Sequence, residues 1–288
     1  MPACAIVGAG RFGRALCAAL VDAGFQVKAL CIRAGSQATT AQRSLRVPIR
    51  SGVGDFLSVL KTPTLVFICV QDREVEQVAL ELARNPGCST HRYAHSCAVR
   101  GRRELQPLSE AKAPTGTFHL LQSFGPTRYA WQKIAGSWCA IEATGSFKRE
   151  LFACARKIRA RPFTISGGQR AAYHAAAVLA SNAMVTLLEI GSRILKASGI
   201  DTKAAELMLL PLARATLENT AALGTAQALT GPVVRGDSST VRLHLDILTG
   251  QDRSLYLALM LATLDLARRS GRLDERLAQQ LKKLLDES

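Results

Sequence analysis

Gly8, Gly10 and Gly13 stand in the spacing Gly-x-Gly-x-x-Gly, with Arg11 and Phe12 between the second and third glycines. The run before them, Ala3-Cys4-Ala5-Ile6-Val7, is short and apolar, and residues 14–23 after them have helical patterning. The motif therefore falls where a strand turns into a helix, the setting in which it binds a dinucleotide. There Gly8 permits a tight turn, Gly10 lets the backbone approach a pyrophosphate, and Gly13 lets the helix pack closely on the strand. The free N–H groups at the helix start, with their partial positive charge, would receive the phosphates. The alternative is a tight βα turn with no ligand.

About 20 residues beyond such a motif, an acid would read a ribose 2′-hydroxyl. This chain has Arg33 there and no acid between Val27 and Gln42. A guanidinium suits a 2′-phosphate through bidentate, charge-assisted bonds, so the spacing favours NADP over NAD, with Ser36 and Arg43 placed to assist. The competing reading is an arginine solvated on a loop. Val70 and Gln71 follow the third clear apolar run, where strand ends line the ligand crevice of a doubly wound sheet.

A nicotinamide enzyme also needs a group to move the proton that accompanies the hydride. His174, in Arg170-Ala171-Ala172-Tyr173-His174, is the expected proton carrier, with Asn182 and Ser96 orienting the substrate. If residues 170–198 form one helix, Arg170, His174 and Ser181 share a face, Asn182 lies at its edge, and Tyr173 turns elsewhere. Unpaired buried polar groups cost about 1–3 kcal/mol, so this stripe needs partners, either a substrate or neighbouring helices. His119, Arg170 and Arg235 are the candidate substrate contacts. Arg235 belongs to a polar island, residues 229–237, in which Asp237 or Ser238 is expected to cap a helix beginning near Thr240.

These residues need a scaffold. A chain of 288 residues has room for two domains. Its first part alternates strand-like segments (3–7, 27–32, 64–70, 92–96, 115–119, 138–142 and 162–166) with helical ones (14–23, 74–84 and 147–159). That alternation implies βαβ units in a mostly parallel, doubly wound sheet. From Gly167-Gly168 onward the pattern is all helical, with Pro211 expected to kink or divide a helix over 202–223. The expected division is thus a Rossmann-type α/β domain over 1–166 and an all-α substrate and dimerisation domain over 167–288.

Composition narrows the classes. Hydrophobic residues make up 48% of the chain and charged residues 20%, which excludes disorder. The eight cysteines include no C-x-x-C pair and no zinc-type grouping with histidine; Cys4, Cys31 and Cys69, in apolar runs, read as small core residues, and the chain as a cytoplasmic protein that carries no metal. The first residues lack a basic region typical of a secretory leader, and no apolar run approaches the ~20 residues of a membrane span. The net charge of +15 raises nucleic acid as a partner, but the basic residues are dispersed without interleaved aromatics, and that partner is not expected.

Taken with residues 8–13, His95-Ser96, 118–124, 173–182, Leu210-Pro211-Leu212 with Asn219, 229–237, and Thr240 with His244, the chain resembles a family of Rossmann-like oxidoreductases. That family's helical C-terminal domain is of the 6-phosphogluconate-dehydrogenase type. Pyrroline-carboxylate reductase and ketopantoate reductase are more distant relatives. The resemblance implies NADP binding and a homodimer formed through the helical domains. It departs from the family pattern at Leu120, where a proline is usual, and at Cys97-Ala98, where a small residue and a glycine are usual. The expectation is an NADP-dependent oxidoreductase acting on a C=O or C=N group of a small molecule. A non-catalytic NADP-binding sensor or scaffold is the alternative.

Overall fold

The computed structural model describes residues 2–127 and 129–288. The chain divides into two compact units, Met1–Ser181 and Asn182–Ser288.

The first unit is built on eight strands: β1 (Ala3–Val7), β2 (Gln26–Ile32), β3 (Ile49–Ser51), β4 (Leu65–Ile68), β5 (Arg92–His95), β6 (Thr115–Leu120), β7 (Trp138–Glu142) and β8 (Arg161–Thr164). They lie in the order β3-β2-β1-β4-β5-β6-β7-β8. Neighbours from β3 to β6 are parallel, β7 runs antiparallel to β6, and β8 is parallel to β7. The first six strands have the doubly wound order, so the chain reverses its direction of winding between β1 and β4.

Side-chain alternation explains why these runs are almost wholly apolar. Cys4 and Ile6 of β1, with Leu65 and Phe67 of β4, enter one core with Leu16 and Leu20 of the helix Arg11–Asp22. Leu151 and Cys154 of the helix Gly145–Lys157 join the same core. Ala5, Val7, Val66 and Ile68 point the other way, to Val75, Ala79 and Leu82 of the helix Val75–Ala83. A strand covered on both faces reads as a continuous apolar run.

The glycine loop is fixed by steric constraint. Gly8 has φ +101°, and a Cβ there would lie 2.4 Å from the Cys69 carbonyl oxygen. A Cβ on Gly13 would lie 1.9 Å from the Gly8 oxygen, whereas one on Gly10 would meet nothing within 4 Å. Two glycines pack the loop against β1 and β4, and the third leaves open space in front of the helix.

The second unit consists of helices Asn182–Ala197, Thr202–Ala228, Ser238–Ile247, Gly250–Arg269 and Glu275–Asp286. Their core is small, centred on Val233, Val241, Leu245, Leu264, Leu281 and Leu285. Aspartates cap three of the helix starts, Asp201, Asp237 and Asp274, each accepting backbone N–H groups. Gly191 lets the first two helices approach, since a Cβ there would lie 2.6 Å from Leu209 Cδ1.

Three sequence expectations are corrected here. The single helix over 170–198 is broken at Ser181, where φ −121° and ψ −72° leave the helical region, so the helical phase is not carried from His174 to Asn182. The helix also runs through Pro211, and its break falls at Gly224, with φ +79° and ψ 163°. Only glycine adopts that conformation readily. The stretch Gly167–Ala197 does have the length and composition of a membrane span, with hydropathy 1.4, contrary to the reading of short apolar runs. It nevertheless includes the buried Arg170 and the break at Ser181.

Gly13→Ala is expected to destabilise the first unit by more than about 4 kcal/mol, because backbone must move to admit the methyl group. Gly10→Ala, facing open space at a helix start, should cost no more than about 1 kcal/mol. Urea unfolding of the two variants checks this, and equal stabilities would contradict the packing role of Gly13.

Candidate functional site

A cavity of about 720 Å³ opens over the carboxyl ends of β1, β2 and β4, lined among others by Gly8, Gly10, Arg33, Val70, Gln71 and Glu74. It lies where the sheet's winding reverses, the place where open α/β sheets bind ligands. No side chain caps the helix that starts after Gly10, so its leading N–H groups face this space. Gln42 holds the loop from outside, its Nε2 donating to the Ala9 carbonyl at 3.2 Å.

The sequence-selected residues divide around this loop. Gly8, Gly10, Arg33, Val70 and Gln71 line the cavity together. Gly13 packs the helix and Arg11 lines a different cleft, of about 750 Å³, on the outer side of that helix. Phe12 turns inward and meets Phe124 edge-on at 5.6 Å. Arg11 and Phe12 therefore offer the cavity their backbone rather than their side chains. At the end of β2, Arg33 Nη2 donates to Glu74 Oε1 at 2.9 Å, with the two side chains 74% and 34% exposed.

A second group gathers past the ends of β4, β5 and β6. Its anchor is Arg170, 2% exposed, the first residue of the helix Arg170–Ala180. Its Nε and Nη2 donate to Glu142 Oε2 at 3.1 and 2.7 Å, Nη2 also to Thr117 Oγ1 at 2.6 Å, and Nη1 to the Ala98 carbonyl at 3.2 Å. The expectation of Arg170 as a substrate contact is corrected by this geometry: every guanidinium nitrogen is already engaged, and the side chain ties a helix to three parts of the sheet edge.

His95 is fully buried. Its Nε2–H donates to the Gly101 carbonyl at 2.9 Å, and its Nδ1 accepts from the Cys97 N–H at 3.2 Å. Both nitrogens are satisfied by the neutral ring, and burial pushes the imidazole down to about 4. His119 is also held near 4, by burial and then by the charges of His174 and Arg170. Its Nδ1 lies 2.9 Å from the Tyr173 hydroxyl, with the rings edge to face. Tyr173, expected to turn elsewhere, thus belongs to the group, and burial raises its phenol above the ordinary range. His174 is half-buried next to it on the same helix. Asp72, just past β4, acts on both His95 and His119 by its charge.

Ser96 gives its backbone N–H to the Ile68 carbonyl, and its hydroxyl bonds the Cys69 thiol, which burial lifts to about 12. All eight cysteines are buried and free. The other two selected residues belong to the second unit. Asn182 is exposed at the start of its first helix. Arg235 is exposed in the turn before Asp237, whose carboxylate caps the helix Ser238–Ile247. Bonds from the Thr240 hydroxyl and N–H and the Ser239 hydroxyl hold Asp237 at about 2.

Glu142, Thr117, Asp72, Glu74 and Gln42 were not anticipated as site residues. Glu142 was findable: a carboxylate ending the buried strand Trp138–Glu142 needs a cationic partner. Glu74 carries no such signal, because it meets Arg33 only through the fold.

Residues 3–119 match a Rossmann-like domain, and residues 137–263 match a domain of unknown function, DUF2520. No curated protein sequence matches the chain. Among solved structures, a Bacteroides fragilis protein described as an NADP oxidoreductase is 20% identical, with a TM-score of 0.69 over 91% of this chain and 97% of that one. A protein from Thermotoga maritima is 22% identical, with a TM-score of 0.70 over 92% and 98%. A pyrroline carboxylate reductase of Plasmodium falciparum, solved with NADP bound, is 11% identical, with a TM-score of 0.62 over 94% and 97%. At these identities the likeness is one of fold.

The two buried histidines set a pH dependence. In the unfolded chain both ionise near 6.5, in the folded protein near 4, so between these values the unfolded state binds more protons. Stability is full above pH 6.5 and falls as the pH drops toward 4, by up to about 3 kcal/mol for the fully buried His95 and less for His119. His95→Gln, which keeps a donor for the Gly101 carbonyl, is expected to flatten this fall. Unfolding midpoints between pH 4 and 8 measure it. A wild-type protein equally stable at pH 4.5 and 7 would contradict the neutral burial of these rings.

Proposed function

We infer, from a Rossmann-like domain joined to a DUF2520 domain, that this chain is an NADP-dependent oxidoreductase reducing or oxidising a C=O or C=N group of a small molecule. The observation that carries the reading is the glycine loop at the winding reversal, open in front of Gly10, with a guanidinium at the end of β2. The residues present fit the cofactor. Gly8 permits the tight turn, Gly10 leaves room for the pyrophosphate, the helix start offers N–H donors, Arg33 faces the 2′-phosphate, and Val70 and Gln71 line the remaining wall. When bound, the nicotinamide supplies or takes up the hydride.

The chain's own part is binding and proton management. His174, beside a neutral His119, holds the proton passed to the oxygen or nitrogen of the reduced bond. Ser96 orients the substrate, and His119 adds a contact through its paired ring. The names of the structural neighbours, an NADP oxidoreductase and a reductase of pyrroline carboxylate, a cyclic imine, agree with this class.

We place the enzyme in the cytoplasm as a homodimer joined through its helical units. Val185, Leu207, Leu212, Leu223, Leu243 and Ile247 are all more than half exposed, an apolar surface too large for an isolated helical unit. A second copy would cover it, and Arg235 would then bring positive charge to an anionic substrate. Light scattering is expected to give twice the chain mass, and a fully active monomer would remove this model.

NADPH is expected to bind at least about tenfold more tightly than NADH, and Arg33→Asp to reduce or reverse the preference, by calorimetry. Equal affinities in the wild-type protein would sink the NADP assignment. In a screen of NADPH oxidation with keto acids, aldehydes and imines, His174→Ala should lower turnover roughly 10²–10⁴-fold with cofactor affinity unchanged. Tight NADPH binding without turnover of any substrate class would favour the sensor reading.

A further inference from the structure

We propose that Glu74 is a specificity-determining residue of the nucleotide cavity, a built-in anion that occupies Arg33 until a 2′-phosphate displaces it. The proposal rests on the NADP reading and deepens it.

Arg33 and Glu74 come from opposite sides of the winding reversal, one from the end of β2 and the other from the segment after β4, and both line the cavity. Their 2.9 Å bond sets a carboxylate oxygen on the guanidinium nitrogen that a phosphate oxygen would otherwise take. The remaining charges along this wall are balanced. Arg73 and Glu81 line it too, and Arg50 pairs with Asp55 beside it at 3.8 Å. With Glu74 in place, the wall therefore offers an incoming dianion no surplus positive charge at Arg33.

The pair is also easy to open. Its side chains are 74% and 34% exposed, and exposed ion pairs contribute little. An arginine–phosphate contact is bidentate and more strongly charged, so it wins the exchange. NADH, with only a hydroxyl at the 2′ position, has no charge with which to drive it. Glu74 thus lowers affinity for the phosphorylated cofactor without touching the other, and narrows a preference that Arg33 alone would make wider.

The test uses the full-length protein and calorimetry, with NADPH, NADH, and the minimal pair adenosine 2′,5′-bisphosphate and adenosine 5′-monophosphate. Glu74→Gln is expected to tighten NADPH and the bisphosphate about two- to fivefold while leaving NADH and the monophosphate unchanged. In an Arg33→Ala background, Glu74→Gln should have no such effect on the bisphosphate. An unchanged NADPH-to-NADH ratio in Glu74→Gln, or equal tightening of all four ligands, would overturn the role of Glu74 while wild-type preference for NADPH keeps the cofactor assignment. Failure of the wild-type protein to bind either dinucleotide would instead overturn the reading on which the proposal rests.

Discussion

The buried guanidinium of Arg170 is the constraint on which the sheet edge depends. A charge with 2% exposure is tolerable only when its donors find partners and an opposite charge lies beside it. Glu142 supplies the charge, and with Thr117 and the Ala98 carbonyl it gives each guanidinium nitrogen an acceptor. Those partners belong to β7, β6 and the loop after β5, so one side chain fastens the helix Arg170–Ala180 to three successive parts of the sheet. Removing one partner of such a pair costs about 3–5 kcal/mol, since the other charge stays buried. This is why the compact unit extends to Ser181, well past the last strand at Thr164. The fastening has an electrostatic consequence as well. The same positive charge opposes protonation of His119 and His95, so the ring bonded to Tyr173 stays neutral where an acid–base site would operate.

On the neighbouring strands, the cavity beside the glycine loop combines rigid and yielding parts. Gly8 and Gly13 are fixed by contacts no methyl group could share, which sets the loop's path before any ligand is present. Such preorganisation lowers the ordering cost of binding. The Arg33–Glu74 pair is the opposite case, exposed and exchangeable. The cavity thus joins a loop fixed by sterics to an ion pair held by charge alone. Only the first is insensitive to salt.

Much of this architecture was legible because burial on two faces and a glycine spacing leave strong marks. The runs at 3–7, 27–32 and 138–142 became β1, β2 and β7 nearly to the residue. β3, with three residues, and the short helices Thr40–Arg43 and Gln106–Glu110 were missed, because they are too short to show a period. Of the two cap candidates Asp237 and Ser238, Asp237 is the cap and Ser238 opens the helix, a choice legible to within one residue because its bonds are local. The errors concern long-range partners. A stripe of Arg170, His174 and Ser181 assumed unbroken helical phase, which Ser181 interrupts. Tyr173 looked peripheral because His119, 54 positions earlier, becomes its partner only through the sheet. Arg170 looked like a ligand group for the same reason: its type suits an anion, and only the fold reveals that Glu142 is that anion.

The two units differ in how completely they satisfy themselves. In the first, Ala5, Ile6, Val66, Phe67 and Ile68 are essentially inaccessible, and both sheet faces are covered. In the second, Val185 and Leu187 of the first helix are exposed, as are Leu207, Met208 and Leu212 on the next helix. Helices that are apolar on more than the face they bury must find another surface, because exposed aliphatic area costs roughly 25 cal/mol per Å². The close approach at Gly191 shows that this pair of helices already uses its small residues to meet each other. Its large residues are what remain outside. A fold that closes one half and leaves the other apolar separates two tasks. The sheet fixes the glycine loop to within van der Waals tolerance, whereas the helical unit leaves large aliphatic side chains exposed.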